Sequence, residues 1–346
     1  MAATADELQA MRRAIEIAAS PGVPLGPNPR VGCVLLAPDG AVVAEGFHRG
    51  AGTPHAEAAA LATAGSAARG TTALVSLEPC NHIGRTGPCA EALVAAGVAR
   101  VVFAQADPNP AASGGAARLR AAGVDVEGGV LEAEARAVNR VWSRAMELGR
   151  PFVTWKFAAT LDGRSAAADG TSRWVSSPEA RRDTHRLRAE ADAILVGTGT
   201  VIDDDPALTV RDADDRPLER QPLRVVMGER DIPAGARVVD DRAETLHLRT
   251  RDPHAVLAAL WARESRHLFL EGGPTVAAAF LRAGLVDEVV AYVAPMLLGA
   301  GRGAVADLGI GTITDAQRFD VDDIAVLTAP DSEPNVRFLL TPTKEH

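Results

Sequence analysis

An alternation of apolar runs and helical patterns constrains this chain most. The run at 73–77 leads into a helical pattern at 88–96 closed by Gly97. The run at 100–105 leads into a pattern at 115–122 closed by Gly123, and a short run follows at 124–126. Strands and helices in this order build a largely parallel sheet with helices packed against it, and a glycine just past each helix supplies its stop. Upstream, Leu8, Met11 and Ile15 mark one face of a helix over 6–19, ended by Ser20-Pro21-Gly22. Runs at 31–37 and 41–47 flank Asp39-Gly40, a hairpin signal, and an Ala-rich helix at 55–64 ends at Gly65. A helix at 131–147 runs into Gly149-Arg150-Pro151, a breaker cluster that predicts a domain boundary.

Beyond it, Phe152–Phe157 reads as a strand, and Ser177-Pro178-Glu179 opens a helix with a capping hydroxyl, proline in the first turn and an acid at the positive end. Strands are predicted at 193–197, 223–227, 267–271, 288–294, 323–328 and 336–341, with a helix at 274–283. The 346 residues suit two domains, 1–149 and 150–346, both α/β. Aromatics are only 4% of the chain, so its cores must be packed with Ala, Val and Leu.

No apolar run approaches the roughly 20 residues of a membrane span, and no signal segment leads the chain, which predicts a soluble, cytoplasmic protein. A net charge of −9 argues against a nucleic-acid binder. The three cysteines form no disulfide framework; Cys33, inside an apolar run, is read as core. Lys156 and Lys344 are the only lysines among 36 basic residues. In so Arg-rich a chain, a lysine inside an apolar strand points to a task that a guanidinium cannot perform.

The chemistry gathers at His55-Ala56-Glu57, at the start of a helix, at Pro79-Cys80 after strand 73–77, and at Cys89, which opens the next helix. The zinc deaminase signature is H-x-E followed by P-C-x-x-C; here eight residues, Asn81 to Pro88, separate the cysteines. Hydrolytic deamination needs hydroxide near neutral pH. Zinc on three protein ligands keeps a fourth position for water and lowers its pKa to about 7. One imidazole and two thiolates complete such a site: His55, Cys80 and Cys89. Glu57, two residues from His55, can share the pocket without binding metal and carry protons from water to the ring nitrogen and then to the leaving amine. A buried histidine, two inert cysteines and a solvated acid are the bland reading, and a structural zinc is another.

With these motifs, Pro27-Asn-Pro-Arg-Val-Gly32, the run Leu77 to Cys89, Ala106-Asp-Pro-Asn-Pro110, Thr160-Leu-Asp-Gly163, Ser172-Arg-Trp174, Asp203 to Arg211 and Glu271-Gly-Gly-Pro-Thr275 follow in collinear order. The chain resembles the bifunctional deaminase–reductases of bacterial riboflavin biosynthesis. The resemblance implies a cytidine-deaminase-like domain followed by a dihydrofolate-reductase-like domain, one zinc ion and NADPH. The implied reactions are hydrolysis of the amine of 2,5-diamino-6-(5-phosphoribosylamino)pyrimidin-4-one, then reduction of the ribosyl group of the uracil product to ribityl. It implies a homo-oligomer acting on a small molecule, with no nucleic-acid or membrane partner.

By match of position, the resemblance places Asn28, His48, His82, Arg85, Asp107 and Asn109 at the deaminase substrate. It places Lys156, Ser172, Arg188, Leu208, Arg211 and Glu271 at the reductase substrate. Ala158, Trp174, Thr200, Asp204 and the run Gly273, Pro274, Thr275, Val276, Ala277, Ala278 and Ala279 fall at the cofactor. The chain departs from the family's pattern at Ile83, Gly87 and Gly228-Glu229, the last where many relatives carry Asp-Ser.

Val196-Gly-Thr-Gly-Thr-Val-Ile202 lacks the third glycine and the distant acid of a dinucleotide fingerprint, so it is read as a turn able to touch a cofactor. Gly299-Ala-Gly-Arg-Gly303 reads as a loop. Glu271-Gly-Gly-Pro-Thr275 joins a strand to a helix and suits a phosphate at the helix N-terminus. Arg188 and Arg211 offer forks for phosphate or are solvated charges; Asp203–Asp205 is a cofactor contact or a capped turn. Two rival functions remain: a nucleic-acid base deaminase, which the acidic charge and the whole second half oppose, and a single-activity deaminase with a weakened second domain.

Overall fold

The computed structural model describes residues 2–23, 26–82, 87–330 and 332–343. Its first helix begins at a capping box that the apolar pattern alone does not reveal. The Thr4 hydroxyl accepts from the Glu7 N–H at 3.2 Å, and the Glu7 carboxylate accepts from the Thr4 N–H at 2.9 Å. The chain divides into two compact units, 1–149 and 150–346, described separately below.

The first unit runs α1 (Ala5–Ala18), β1 (Gly32–Leu36), β2 (Val42–Phe47), α2 (Ala56–Ala64), β3 (Thr72–Leu77), α3 (Cys89–Ala96), β4 (Arg100–Gln105), α4 (Gly115–Ala121), β5 (Asp125–Gly128), α5 (Glu132–Val138) and α6 (Arg140–Leu148). Its sheet has the order β2-β1-β3-β4-β5. The hairpin partners β1 and β2 are antiparallel, as are β1 and β3, while β3, β4 and β5 are parallel. Alternate strand residues divide between two cores. Cys33, Leu35, Ala73, Val75 and Val101 pack against α2, α3 and α4; Val34, Leu36, Leu74 and Val102 pack against α1 and α5. The sheet is thus covered on both faces, the parallel-sheet outcome the alternation predicts.

The single helix predicted at 131–147 is two helices, broken at Asn139. The break has a tertiary cause. The Asn139 Oδ1 accepts from the Arg30 N–H and its Nδ2 donates to the Arg30 carbonyl, each at 2.8 Å, so the residue clamps the loop that carries Asn28.

The second unit contains β6 (Phe152–Thr160), β7 (Arg164–Ala166), α7 (Pro178–Glu190), β8 (Ala193–Gly197), α8 (Thr198–Asp204), β9 (Leu223–Met227), β10 (Thr245–Leu248), α9 (Pro253–Ala262), β11 (His267–Leu270), α10 (Pro274–Arg282), β12 (Glu288–Ala294), β13 (Arg302–Gly303), β14 (Phe319–Leu327) and β15 (Asn335–Pro342). Eight strands order as β10-β9-β8-β11-β6-β12-β15-β14; those from β10 to β12 are parallel, and β15 and β14 add antiparallel. Helices α9 and α10 cover one face, with Val153, Trp155, Leu195, Val225 and Leu268. The other face presents Ile194, Val196, Val226 and Phe269 to Leu187 of α7 and Val201 of α8.

Five elements of this unit lie outside the predicted pattern: β7, α8, β10, α9 and β13. The Gly-Thr run after β8 is a short helix, not a turn, and the glycine loop at 299–303 ends in β13, which pairs with β7. Parallel strands place their C-terminal ends along one edge, where open α/β sheets bind ligands. That edge carries the second site.

Candidate active sites

In the first unit, α2 and α3 aim their N-termini at one point. His55 is the residue before α2, Cys89 is the first residue of α3, and Cys80 lies between β3 and α3. His55 Nδ1 lies 3.6 Å from Cys80 Sγ and 3.3 Å from Cys89 Sγ, and all three donor atoms fall within 4.8 Å of one another. A tetrahedral zinc with bonds of about 2.0–2.3 Å sets its nitrogen and sulfur ligands about 3.5 Å apart, so this donor set fits the ion. The electrostatics agree. The Cys89 thiol and, after burial is overcome, His55 hold Cys80 down to about 4, while Cys80 and burial push Cys89 upward. Two thiolates side by side need a cation to coexist.

Glu57, in the first turn of α2, is 4% exposed, and burial raises its carboxyl above the usual range. It can therefore hold a proton as well as release one. His48 stands edge-on to His55, ring centroids 5.4 Å apart. Its Nε2 pairs with Asn28 Nδ2 at 3.1 Å and its Nδ1 with the Pro54 carbonyl at 3.0 Å. The structure thus brings Asn28 and His48 to the metal cluster. The Nδ1 atom of His82 is buried and without a partner, as a ligand-binding group would be. Asp107 and Asn109 form a turn: the Asn109 N–H donates to Asp107 Oδ1 at 2.8 Å, and Asn109 Oδ1 accepts from Ala111 N–H at 3.1 Å. Burial, with the nearby Glu78, raises the Asp107 carboxyl to about 7. Arg85 and Ile83 lie outside the described residues.

Cys33 is fully buried in β1, and its thiol is raised by burial, in keeping with a core residue.

The second unit holds a cavity of about 890 Å³ at the C-terminal edge of its sheet. Thr200, Gly273, Pro274, Thr275, Val276 and Ala279 line it. The Val276 and Ala277 N–H groups close on the Gly273 carbonyl at 3.0 and 3.1 Å, so the amides of Gly273 and Thr275 remain for an anion at the start of α10. Asp203, not Asp204, lines the cavity; the Asp204 carbonyl instead accepts from Arg173 at 3.0 Å. The side chains of Ala277 and Ala278 are buried, on the far side of α10, because a helix can offer only one face to a cleft. Trp174 lines a separate hollow of about 290 Å³, with Arg181 over its ring at 4.2 Å. Ala158 packs beside Val290 and Tyr292.

Lys156 and Ala158 share one face of β6. Lys156 Nζ lies 4.0 Å from Glu271 Oε2, and burial, with Arg188, lowers its ammonium below the usual range. Arg188 grips the same Glu271 with both prongs, at 2.5 and 3.0 Å, and donates to the Thr209 carbonyl at 3.0 Å. Burial opposes ionisation of Glu271, yet Arg188 and Lys156 hold its carboxyl below the usual range. The fork of Arg188 is therefore spent on Glu271 and is not the open phosphate fork the sequence suggested. Arg211 holds Thr209 Oγ1 at 3.2 Å and Asp215 at 2.8 Å. Leu208 is buried, with φ +50°, so only its backbone can face a ligand. Ser172 is half-buried before Trp174. His185, one turn before Arg188, was not singled out in the sequence. Its Nδ1 is buried without a partner, and burial and Arg188 lower it to about 4. Its spacing from Arg188 on α7 was the one available clue.

Comparison with known proteins finds relatives of both units. The cytidine and deoxycytidylate deaminase zinc-binding region matches residues 4–105, and the RibD C-terminal domain matches 151–326. The riboflavin biosynthesis protein RibD of Mycobacterium tuberculosis (strain H37Rv) is 54% identical over 86% of this chain and 88% of its own length. That of Escherichia coli K12 is 42% identical over 91% and 95%. Among solved structures, Acinetobacter baumannii RibD superposes with a TM-score of 0.88 at 38% identity, covering 98% of this chain and 99% of its own. A diaminohydroxyphosphoribosylaminopyrimidine deaminase/5-amino-6-(5-phosphoribosylamino)uracil reductase of Thermotoga maritima gives 0.82 at 31%, with the same coverage. A cytidine-deaminase-like unit with a His-Cys-Cys zinc site and a dihydrofolate-reductase-like unit that uses NADPH thus occur in one chain, which belongs to the RibD family of bifunctional deaminase–reductases of riboflavin biosynthesis.

Proposed function

We propose that the first unit deaminates 2,5-diamino-6-(5-phosphoribosylamino)pyrimidin-4-one and that the second reduces the ribosyl group of the uracil product to ribityl. The deaminase reading is carried by one observation, the three donor atoms of His55, Cys80 and Cys89 within 4.8 Å of one another beside a buried Glu57. Zinc held there supplies an acidified water near neutral pH. Glu57 takes one proton from the attacking water and delivers it to the pyrimidine ring nitrogen, then takes the second from the hydroxyl of the carbon adduct and gives it to the departing amine. Asn28 and His48 hold the ring, and His82 uses its unpartnered Nδ1 toward the substrate. Arg85, Asp107 and Asn109 complete the pocket.

In the second unit, bound NADPH supplies the hydride. Gly273 and Thr275 offer backbone amides to its pyrophosphate, and Thr200, Asp203, Pro274, Val276 and Ala279 border it. Lys156 places its ammonium at the sugar; Glu271 accepts from a ribose hydroxyl and is fixed by Arg188. Ser172, Leu208 and Arg211 border the same substrate.

Two variants separate the activities. Glu57→Gln is expected to retain zinc and lose ammonia release by about 10²–10⁴-fold. Lys156→Arg is expected to lose reduction by about tenfold or more with ammonia release unchanged. A fully active Glu57→Gln enzyme would refute the proton-carrier role, and undiminished reduction by Lys156→Arg would refute the role of Lys156.

We further propose a homo-oligomer in the cytoplasm. No described helix is long and apolar enough to cross a membrane. The edge strand β14 exposes Val321, Ile324 and Val326 at 56%, 56% and 64%, on the face shared with Leu340, Phe338 and Val336, a patch suited to a second copy.

A further inference from the structure

The deaminase zinc-binding region matches residues 4–105, yet the loop that carries Asn28 is held from beyond it. Asn139 and Trp142, each 4% exposed, grip the chain on both sides of Asn28. Asn139 pairs with both the N–H and the carbonyl of Arg30, each at 2.8 Å. The Trp142 indole N–H donates to the Pro27 carbonyl at 3.1 Å. Helix α6 is itself docked on the sheet, where Gln105 Nε2 at the end of β4 donates to Ser143 Oγ at 2.8 Å.

The grip has a local cost. Ala, Glu and Arg dominate residues 132–148, and such residues favour one unbroken helix. Asn139 instead adopts φ −112° and ψ 21°, outside helical geometry, and separates α5 from α6. What the break achieves is the hold on residues 27–30. The connection from α1 to β1, residues 19–31, contains no strand or helix among the described residues. An unheld loop of that length would have to be ordered each time substrate bound, and holding it in advance removes that cost. The residue held is Asn28. Because the Pro54 carbonyl can only accept, His48 Nδ1 carries the proton and His48 Nε2 accepts from Asn28 Nδ2. Asn28 Oδ1 is left to accept from a ligand.

We infer that Asn139, with Trp142, is a positioning residue for the deaminase substrate and acts through Asn28, which rests on the reading of Asn28 as a substrate contact. A contact prepared in advance strengthens ground state and transition state alike, so its loss raises KM and spares kcat. A merely structural role would instead lower zinc content and the amount of active enzyme.

The test is a double-mutant cycle on the full, zinc-loaded chain, read as ammonia release across substrate concentration together with zinc content. Asn139→Ala is expected to raise KM about tenfold with zinc retained and kcat little changed. Asn28→Ala is expected to raise KM about tenfold as well. The double variant is expected to stay near tenfold, not the roughly hundredfold of independent contacts. Trp142→Phe keeps a packed ring and removes only the donor. It is expected to raise KM about threefold and to add nothing on top of Asn28→Ala, and it carries the same cycle if Asn139→Ala does not fold. An unchanged KM in either positioning variant, additive effects with Asn28→Ala, or KM effects that appear only with loss of zinc would overturn the assignment. An unchanged KM in Asn28→Ala would overturn the reading of Asn28 as a substrate contact, and the positioning role with it.

Discussion

At the scale of single residues, the zinc site was legible because its chemistry leaves few options: three soft or borderline donors and an acid, each at a strand-to-helix junction. The scarcity of lysine drew attention to Lys156, and the structure sets it 4.0 Å from Glu271. Arg188 was misread for a physical reason. Its partner is 83 residues away, and nothing local says whether a guanidinium fork is free or taken. His185 was missed for the same reason. Because burial and Arg188 lower it to about 4, the folded protein binds fewer protons than the unfolded chain between about pH 4 and 6.5. Stability therefore falls as pH drops through that window. His185→Gln is expected to flatten this slope, measured as the urea midpoint against pH; an unchanged slope would place the titration elsewhere.

At the scale of elements, alternation and glycine stops revealed most of the first unit, but close packing placed its site. A Cβ on Gly115 would lie 1.7 Å from the Pro79 carbonyl, and one on Gly46 would meet the α2 backbone at 2.4 Å. These glycines let α4 approach the segment before Cys80, and β2 approach the helix that carries Glu57. Gly115→Ala is expected to destabilise by about 1–3 kcal/mol and to weaken zinc retention, readable by thermal unfolding and metal analysis. In the second unit, α8, β10 and α9 went unseen, and one residue helps explain why that region is ordered. Arg224 on β9 is fully buried, with Asp240 Oδ1 at 2.8 Å and further bonds to the Asp240 and Ala243 carbonyls. It holds the segment between β9 and β10 through contacts that no periodicity encodes. Arg224→Met is expected to cost about 1–3 kcal/mol by leaving the Asp240 and Ala243 carbonyls without their buried donor, measured by urea unfolding.

At the scale of the whole molecule, the two chemistries are assigned to separate units, because every metal ligand lies before residue 149 and the cofactor cavity lies wholly after it. Chelation of zinc is expected to abolish ammonia release and to leave reduction of the deaminated product intact, each followed with its own substrate. Charge substitution on the exposed edge, such as Ile324→Lys, is expected to shift the sedimentation coefficient toward the monomer.

The central claim is two consecutive reactions on one chain. Its most direct measurement supplies the zinc-loaded enzyme with the diaminopyrimidine phosphoribosyl substrate, first without NADPH and then with it. The account predicts stoichiometric ammonia release without cofactor, then NADPH oxidation that begins only once deaminated product has formed. Absence of ammonia from fully zinc-loaded enzyme, or no NADPH oxidation after deamination, would contradict it.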